Sequence, residues 1–253
     1  MGQRLGQHFL TDENVLKTIA SFPEIKSTDS VIEIGSGHGE LTKYLTGKKP
    51  KSLTLIEADR ELAPALRKNF PEARVVEGDV LEVLADVVSS IKGDCVVVGN
   101  IPYYITGYLF RIIGDLDKKP KTAVFTVQKE VAVRICAEPP RMNLLAASVQ
   151  FWAEPKLEMI IKKGLFSPPP KVDSAVLKLT IKEPLIKAEI YYPFIKALFK
   201  QPRKTILNNI SAGLNKPKIE VERILVQAKI SPSWRPETLK ITDITSLARV
   251  FEA

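Results

Sequence analysis

Short apolar runs that alternate with helical stretches are the feature that most restricts the fold of this chain. Five of these runs have the composition of buried strands: Val31–Ile34, Ser52–Glu57, Ala73–Glu77, Cys95–Asn100 and Thr122–Val127. Strands that are separated by helices usually pair in parallel, and a parallel sheet needs helices on both faces. The sequence therefore predicts an α/β fold with a mostly parallel sheet.

The pattern changes near Lys182. Two more strand-like runs, Leu157–Ile161 and Ser174–Thr180, come before this point, and helical periodicity dominates after it. We therefore predict a large α/β domain over residues 1–182 and a small all-helical domain over residues 183–253. The predicted helices of the small domain are Tyr192–Phe199, Thr205–Ile210, Glu220–Ala228 and Ile244–Phe251.

Charge is distributed unevenly between these two parts. The formal net charge is +8, and 13 of the 37 basic residues but only 7 of the 29 acidic residues lie from Lys182 onward. Excess positive charge on a small appended domain is typical of a surface that binds a polyanion. The candidate phosphate contacts are Lys196, Lys200, Arg203 and Lys204, although such clusters are often only solvated surface.

The sequence also argues against membrane, secreted and metal-binding proteins. It contains no run of about 18 apolar residues, and Met1–Gly6 lacks the apolar stretch of a signal peptide, so we expect a cytoplasmic protein. Cys95 and Cys136 lie far apart in apolar stretches and are expected to be reduced core residues. With His8 and His38 they show no spacing typical of a metal site, so we expect no bound metal.

A glycine-rich loop follows the first predicted strand. Gly35 and Gly37 would permit a tight turn and let a ligand approach the backbone, and the next helix would point its N-terminus at that ligand. Glu57 ends the second strand, 22 residues after Gly35, where an acid commonly binds a ribose diol. Asp59 competes for this role, but we interpret it as a helix N-cap, with the helix starting at Arg60.

A third strand end carries another acid. Asp79 could accept a hydrogen bond from an adenine amine, with Val80 against the ring, although Asp79 alone is equally typical of a turn or cap. Ligands of open α/β sheets bind across the carboxyl ends of the strands, and three such ends here carry Gly, Glu and Asp. This set predicts a cofactor site, but it fits a nicotinamide cofactor as well as S-adenosylmethionine.

The residues after the fourth strand favour S-adenosylmethionine. Asn100, Ile101, Pro102 and Tyr103 place an amide, a restricted turn and an aromatic ring beside the expected cofactor. An adenine amine is a poor nucleophile because its lone pair is delocalised into the ring. The Asn100 side-chain carbonyl and the Ile101 backbone carbonyl could each accept one amine hydrogen, and Tyr103 could stack on the base. The amine would then face a methyl sulfonium with no need for a strong general base.

Motifs along almost the whole chain resemble those of the ribosomal RNA adenine dimethyltransferases that act on the small subunit. Besides the glycine loop, Glu57, Asp79 and Asn100–Tyr103, they are Leu5–Leu10, Gln128–Val131, Phe166–Ser174, Arg203–Thr205 and Arg235–Leu239. The resemblance implies a Rossmann-like S-adenosylmethionine-dependent methyltransferase sheet in residues 1–182 and a helical RNA-binding domain in residues 183–253. It implies dimethylation of two adjacent adenines in a loop near the 3′ end of small-subunit (16S-type) rRNA during ribosome biogenesis, by a monomer without metal.

The resemblance also implies roles for individual residues. His8 and Leu10 would border the methionine end of the cofactor. The residues that would complete that site are Gly35, Glu57, Asp79 and Asn100. Phe166 would close over the target base opposite Tyr103, so that a flipped-out adenine lies between two aromatic rings. Phe166 could instead be a loop anchor that packs into the core.

The chain departs from the family pattern at a few positions. His8 stands where Asn is usual, Leu5 where Phe is usual, and Pro202 where Arg is usual. A contact of His8 with the cofactor through backbone atoms would survive the first change. Pro202 removes one phosphate contact, and the basic leader before the first motif is nearly absent, so RNA affinity would be affected more than chemistry.

Four other functions fit parts of the sequence. A large-subunit methyltransferase that confers antibiotic resistance shares the core, but it would normally lack Arg203–Thr205 and Arg235–Leu239. A DNA adenine methyltransferase would need an extended sequence-reading domain, and a nicotinamide dehydrogenase would need a proton-transfer residue at the fourth strand end. Two alternatives stay open: the large-subunit methyltransferase, and an assembly factor that checks immature small subunits, with catalysis secondary.

Overall fold

The structure is a computed structural model that describes residues 8–252, so the motif residues Leu5, Gly6 and Gln7 lie outside the described part. The strands are, in chain order, β1 (Phe9–Leu10), β2 (Ser30–Ile34), β3 (Ser52–Glu57), β4 (Arg74–Glu77), β5 (Cys95–Asn100), β6 (Thr122–Gln128), β7 (Ala153–Ile161), β8 (Phe166–Ser167) and β9 (Ser174–Ile181). The α-helices are α1 (Glu13–Ile19), α2 (Thr42–Thr46), α3 (Ala63–Asn69), α4 (Val80–Ser90), α5 (Thr106–Asp115), α6 (Lys129–Ile135), α7 (Leu144–Gln150), α8 (Ala188–Leu198), α9 (Ile206–Leu214), α10 (Lys218–Gln227) and α11 (Ile241–Glu252).

The predicted parallel strands meet in one sheet. Its order is β4-β3-β2-β5-β6-β9-β7, and β2 pairs in parallel with both β3 and β5. The predicted α/β fold is therefore confirmed, with β9 running antiparallel to β6. Ile34 is paired with Ile56 on one side and with Gly99 on the other. The carboxyl ends of the first, second and fourth predicted strands consequently lie side by side, which brings the residues that follow them together.

The sheet is covered on both faces. All five residues of β2 are buried, and because alternate side chains point to opposite faces, neither face can be open to water. Val31, Leu55 and Val96 from the strands pack in one core with Leu45 from α2 and Leu66 from α3. Full burial of such a side chain stabilises a fold by about 1.5–3 kcal/mol. This packing holds the carboxyl edge of the sheet in a fixed position.

The helix after β3 begins later than predicted. We expected Asp59 to cap a helix from Arg60, but α3 starts at Ala63 and its N-cap is Leu62. The Asp59 carboxylate instead accepts a hydrogen bond from the backbone of Glu61 over 2.9 Å and closes a turn. Pro64 explains the later start. In a helix from Arg60 it would lie past the first turn, where its missing N–H would leave a carbonyl without a donor, whereas in a helix from Ala63 it lies in the first turn, where that N–H is not needed.

The described residues form two compact units. One contains the described residues up to Ala132 together with Pro155–Ile181, and the other contains Val133–Glu154 together with the described residues from Lys182 onward. Phe151 shows why the segment before β7 groups with the later helices. Its ring stacks on Tyr191 of α8 at a centroid distance of 4.0 Å. The functional division at residue 182 stays a prediction.

The second unit is helical from α8 onward. Each of the four predicted helices corresponds to one of α8, α9, α10 and α11, although the observed bounds differ by a few residues. Asn215, which follows α9, adopts a left-handed conformation that ends the helix. In the described range 8–252, every helix is too short or too polar to cross a bilayer.

Candidate active site

A cleft lies at the carboxyl edge of the central sheet in the first unit. It encloses about 930 Å³, counting space open to solvent. Its lining residues all come from the N-terminal segment or from the ends of β2 to β5. They are His8, Phe9, Ile34, Gly35, Gly37, Ile56, Glu57, Ala58, Gly78, Asp79, Val80, Asn100, Ile101, Pro102, Tyr103, Tyr104 and Ile105. The structure thus brings most of the candidate cofactor and catalytic residues to one cleft.

The glycine loop after β2 needs residues without a side chain. Gly35 and Gly37 have φ values of +68° and +58°, which side chains rarely tolerate. A Cβ atom on Gly35 would also lie 3.2 Å from the backbone oxygen of Asn100. The backbone N–H of Gly35 donates to the carbonyl of Ile56 over 2.9 Å, which ties the loop to β3. The left-handed glycines and the contacts of the loop with β3 and Asn100 together shape this wall of the cleft.

Glu57 is held in place by the loop it faces. Its two carboxylate oxygens accept backbone N–H groups from Gly37 over 2.8 Å and from Asp59 over 3.0 Å. The side chain is buried, and this burial raises the pKa of the Glu57 carboxyl while the backbone hydrogen bonds lower it. Each carboxylate oxygen has more than one lone pair, so both oxygens can also accept from a pair of ligand hydroxyls.

Asp79 caps a helix and also lines the cleft, so its position is compatible with both roles that the sequence left open. One oxygen, Oδ1, accepts the backbone N–H of Leu81 over 2.9 Å and caps α4. Asp79 also lines the cleft with Val80, whose side chain is buried. Capping occupies one oxygen and leaves Oδ2 as an acceptor for a ligand amine. A cap residue is thereby fixed in orientation by the helix that it starts.

Asn100 has a fixed amide orientation. Its Nδ2 donates to the backbone carbonyl of His8 over 3.0 Å. The amide nitrogen is thus committed to the protein, which leaves Oδ1 as the acceptor that the side chain offers to a substrate. His8 is itself anchored, because its Nδ1 lies 2.7 Å from the carbonyl of Pro168. A carbonyl oxygen can only accept, so the Nδ1 atom of His8 donates this hydrogen bond. The Nε2 atom of His8 takes no part in it.

Tyr103 is anchored by its hydroxyl. The Oη atom lies 2.6 Å from Oγ of Ser174, at the start of β9. Burial of the phenol raises the pKa of Tyr103, so the ring stays neutral in the physiological range. The ring centroid lies 6.1 Å from that of His8. A half-buried ring that is anchored by its hydroxyl in this way is suited to stack on a flat ligand rather than to transfer protons.

Phe166 and Leu10 lie away from the cleft. They pair across β8 and β1, and their side chains are 4% and 3% exposed within the hydrophobic core. Among residues 8–252, the lining of the cleft does not include Phe166. In this conformation the ring of Phe166 packs in the hydrophobic core and anchors its loop. Stacking on a base would require the ring to leave the core. Leu10 lines a smaller cavity beneath the glycine loop.

That smaller cavity holds polar residues that the sequence analysis missed. Glu33, Ser36 and Thr126 line it and are almost fully buried. Burial raises the pKa of Glu33 to about 8, and its Oε2 accepts the hydroxyl of Thr42 over 2.6 Å. The hydroxyl oxygens of Ser36 and Thr126 have no hydrogen-bond partner within the described part of the chain. The sequence did contain a signal for this cavity. Glu33 lies inside the apolar run Val31–Ile34, and an acidic residue in a buried strand indicates a polar site because burial of a charge is costly.

The candidate phosphate contacts lie in the second unit. Lys196, Lys200, Arg203 and Lys204 are all exposed on α8 and the loop after it. Buried Asn209 shapes this loop, since it exchanges two hydrogen bonds of 3.0 Å with the backbone of Gln201. Arg203 and Lys204 therefore lie on a loop whose backbone is fixed by hydrogen bonds to Asn209.

Comparison with known proteins points to one family. The family model described as "Ribosomal RNA adenine dimethylase" matches residues 2–248. Among curated proteins, the chain is 36% identical to "Ribosomal RNA small subunit methyltransferase A" of Dehalococcoides mccartyi, covering 98% of this chain and 87% of that protein. It is also 36% identical to the protein of the same name from Bacillus pumilus, covering 98% of this chain and 90% of the relative.

Two solved structures of methyltransferases are similar to this chain over almost its whole length. A dimethyladenosine transferase from Plasmodium falciparum superimposes with a TM-score of 0.82 at 26% identity, covering 97% of each chain. The 23S rRNA methyltransferase ErmE superimposes with a TM-score of 0.77, also at 26% identity, covering 97% of this chain and 100% of that chain.

Proposed function

The chain belongs to the ribosomal RNA adenine dimethylase family, and from that premise we propose that it dimethylates the exocyclic amine of adenines in small-subunit rRNA with S-adenosylmethionine as methyl donor. The observation that carries this proposal is the fixed amide of Asn100, which presents an acceptor oxygen in the same cleft as Glu57. The curated relatives named for the small subunit favour this substrate over large-subunit rRNA.

The residues of the cleft fit S-adenosylmethionine. Glu57 would accept hydrogen bonds from the two ribose hydroxyls, and Asp79 would accept one from the adenine amine beside Val80. Gly35 and Gly37 leave room for the cofactor to lie against the backbone. His8 and Leu10 would border its methionine end. Leu10 lines the smaller cavity with Ser36 and Thr126, whose hydroxyls have no partner among residues 8–252.

The chemistry depends on positioning the target amine. S-adenosylmethionine supplies an electrophilic methyl group on a positively charged sulfur. The Oδ1 atom of Asn100 and the backbone carbonyl of Ile101 would each accept one hydrogen of the adenine amine, which directs the nitrogen lone pair at that methyl group. Tyr103 would stack on the base, and Pro102 restricts the turn that carries all of these groups. Phe166 closing over the base remains part of this proposal.

The RNA and the cellular setting are further parts of the proposal. Two adjacent adenines in a loop near the 3′ end of the rRNA are the proposed targets, since unpaired bases can be splayed into a pocket. Lys196, Lys200, Arg203 and Lys204 would contact phosphates. We infer that the protein acts as a monomer without metal in the cytoplasm, where small subunits would be assembled.

One experiment tests the proposed function. The full-length protein is incubated with labelled S-adenosylmethionine and, separately, with immature small subunits, mature small subunits, immature large subunits and naked rRNA. We expect label in dimethyladenosine after digestion of the small-subunit RNA. Label confined to large-subunit RNA, or none in adenosine, would overturn the proposal.

The assembly-factor alternative needs a second arm of this experiment. Asn100→Ala removes the acceptor oxygen, so it should reduce methylation in the assay by about 100-fold. If this variant nevertheless rescues small-subunit assembly in cells that lack the protein, assembly is the main role and catalysis is secondary. If it fails to rescue while remaining folded, methylation is the main role.

A further inference from the structure

A helical face beside the cleft is exposed although it carries two large aromatic rings. The chain forms a turn of 3-10 helix at Tyr103–Ile105 and continues directly into α5. The exposed positions of this stretch are Tyr104, Gly107, Tyr108, Arg111 and Asp115, which follow helical spacing and share one side. We call these five residues the tyrosine face.

Packing does not account for the two tyrosines. The opposite side of the same stretch is buried through Leu109, Phe110 and Ile113, so the helix is already anchored to the core. Tyr104 and Tyr108 remain 65% and 68% exposed. Aromatic rings that are paired one turn apart on the solvent side of an amphipathic helix contribute little to folding and are typical of a binding surface.

The tyrosine face is continuous with the cleft. Tyr104 belongs to it and also lines the cleft next to Tyr103. Gly107 lies between the two rings in sequence, and a Cβ atom at this position would meet nothing within 4 Å. A flat group could therefore reach the backbone between the rings. Arg111 is 79% exposed along its side chain and holds Asp115 only at 3.7 Å.

We infer that the tyrosine face stacks the unpaired nucleotides that flank the target adenine, an inference that rests on the proposed function. Every base has a π-face, and aromatic side chains stack on single-stranded bases without regard to sequence. Arg111 adds a positive charge to the tyrosine face. Its exposed ion pair with Asp115 is weak, so the guanidinium is available to contact a phosphate of the RNA. Exposed tyrosines are also common in protein–protein interfaces, but Tyr104 is shared with the cleft that would hold the target adenine, which favours RNA as the occupant.

The test uses three replacements at Tyr108, which lies outside the lining of the cleft. Tyr108→Ala removes the ring, Tyr108→Leu keeps an apolar side chain without a π-face, and Tyr108→Phe keeps the ring. Ile160→Ala, at a 44% exposed position of β7, is the control for loss of an exposed apolar side chain. Binding is followed with an RNA hairpin that carries 2-aminopurine next to the target adenine, and KM is measured for small-subunit particles.

We expect Tyr108→Ala and Tyr108→Leu to raise the KM for the particles and the Kd for the hairpin about ten-fold and to reduce the 2-aminopurine quenching. Tyr108→Phe and the control should match the parent protein, and affinity for S-adenosylhomocysteine should be the same in all variants.

If the parent methylates adenine but all variants bind RNA equally, the stacking inference fails and the proposed function stands. If Tyr108→Leu behaves like Tyr108→Phe, the surface makes an apolar contact and the inference also fails. If the parent methylates no rRNA, the proposed function itself fails.

Discussion

The amide nitrogen of Asn100 donates to the backbone carbonyl of His8 over 3.0 Å, across 92 residues of sequence. This bond joins the turn after β5 to the N-terminal segment, and it decides which atom of the amide is offered to a substrate. An asparagine with a free amide could present either end, so the orientation that the chemistry needs comes from a tertiary contact.

Removal of the Asn100 amide should reduce turnover. Without Oδ1, the target amine loses one of its two proposed acceptors, and loss of one preorganised hydrogen-bonding group commonly lowers kcat by about 100-fold. The measurement is kcat of Asn100→Ala at saturating substrates, with the melting temperature as a check on folding. Asn69→Ala, at an exposed position of α3, serves as the control. A folded Asn100→Ala variant with parental kcat would contradict this role.

Neutralising Glu57 should weaken cofactor binding. In Glu57→Gln one acceptor oxygen becomes an NH₂ group, which would face the backbone N–H donors of Gly37 or Asp59 and repel them. A lost hydrogen bond to a charged group costs about 1.5–3 kcal/mol, so Kd for S-adenosylhomocysteine should rise by about ten-fold or more. Isothermal titration calorimetry gives the value, and exposed Glu61→Gln should leave it unchanged. Equal Kd values for Glu57→Gln and the parent would refute the ribose contact.

Buried Glu33 should make stability depend on pH. Its pKa is raised to about 8 in the folded chain from 4.5, mainly by burial, with Glu40 and Glu57 adding repulsion and Thr42 opposing the shift. A carboxyl of this kind stabilises the fold fully below the unfolded pKa and loses that contribution as pH rises towards the folded pKa. The parent should therefore lose at least about 1 kcal/mol of unfolding free energy relative to Glu33→Gln between pH 5 and pH 8. Urea unfolding at several pH values measures this, and parallel pH profiles would show that Glu33 is not responsible.

The basic loop of the second unit should contribute to the salt dependence of RNA binding. The affinity of a protein for RNA falls as salt concentration rises. If Arg203 and Lys204 each contact a phosphate, replacing both with Ala makes the slope of log K against log salt less steep by about two. Fluorescence anisotropy with a labelled rRNA fragment at several salt concentrations gives the slope. The pair Lys48→Ala and Lys51→Ala removes the same charge from an exposed part of the first unit. An identical slope in parent and loop variant would rule out these phosphate contacts.

Phe166 should contribute to the free energy of unfolding whether or not it also contacts the target base. Its ring lies in the core at 4% exposure, so Phe166→Ala should cost about 3–5 kcal/mol. Phe166→Leu preserves most of the volume and should cost less than about 1.5 kcal/mol. This folded variant then tests the proposed contact with the base, because loss of stacking would lower kcat/KM about ten-fold. Parental kcat/KM in Phe166→Leu would leave Phe166 as a core anchor only.

Some parts of the site were predictable because they are local. Gly35 and Gly37 follow a buried strand directly, and their left-handed backbone is a property of the loop itself. Glu57, Asp79 and Asn100 end or follow parallel strands, and parallel strands in adjacent positions necessarily bring their carboxyl ends together. The helix start at Ala63 was mispredicted because a turn that uses Asp59 competes locally with the helix cap, and both look alike in sequence.

The sequence by itself determined the α/β alternation, the helical second part and the positions of the polar residues at the strand ends, because hydrophobic periodicity and glycine conformation act over a few residues. Only the tertiary structure decided that Phe166 lies in the core, that Glu33 is buried beneath the glycine loop, and that Val133–Glu154 groups with the later helices. These outcomes depend on contacts between residues distant in sequence, such as the pairing of Leu10 with Phe166. Burial and hydrogen-bond partners are properties of the assembled chain, so a residue type and its neighbours in sequence do not specify them.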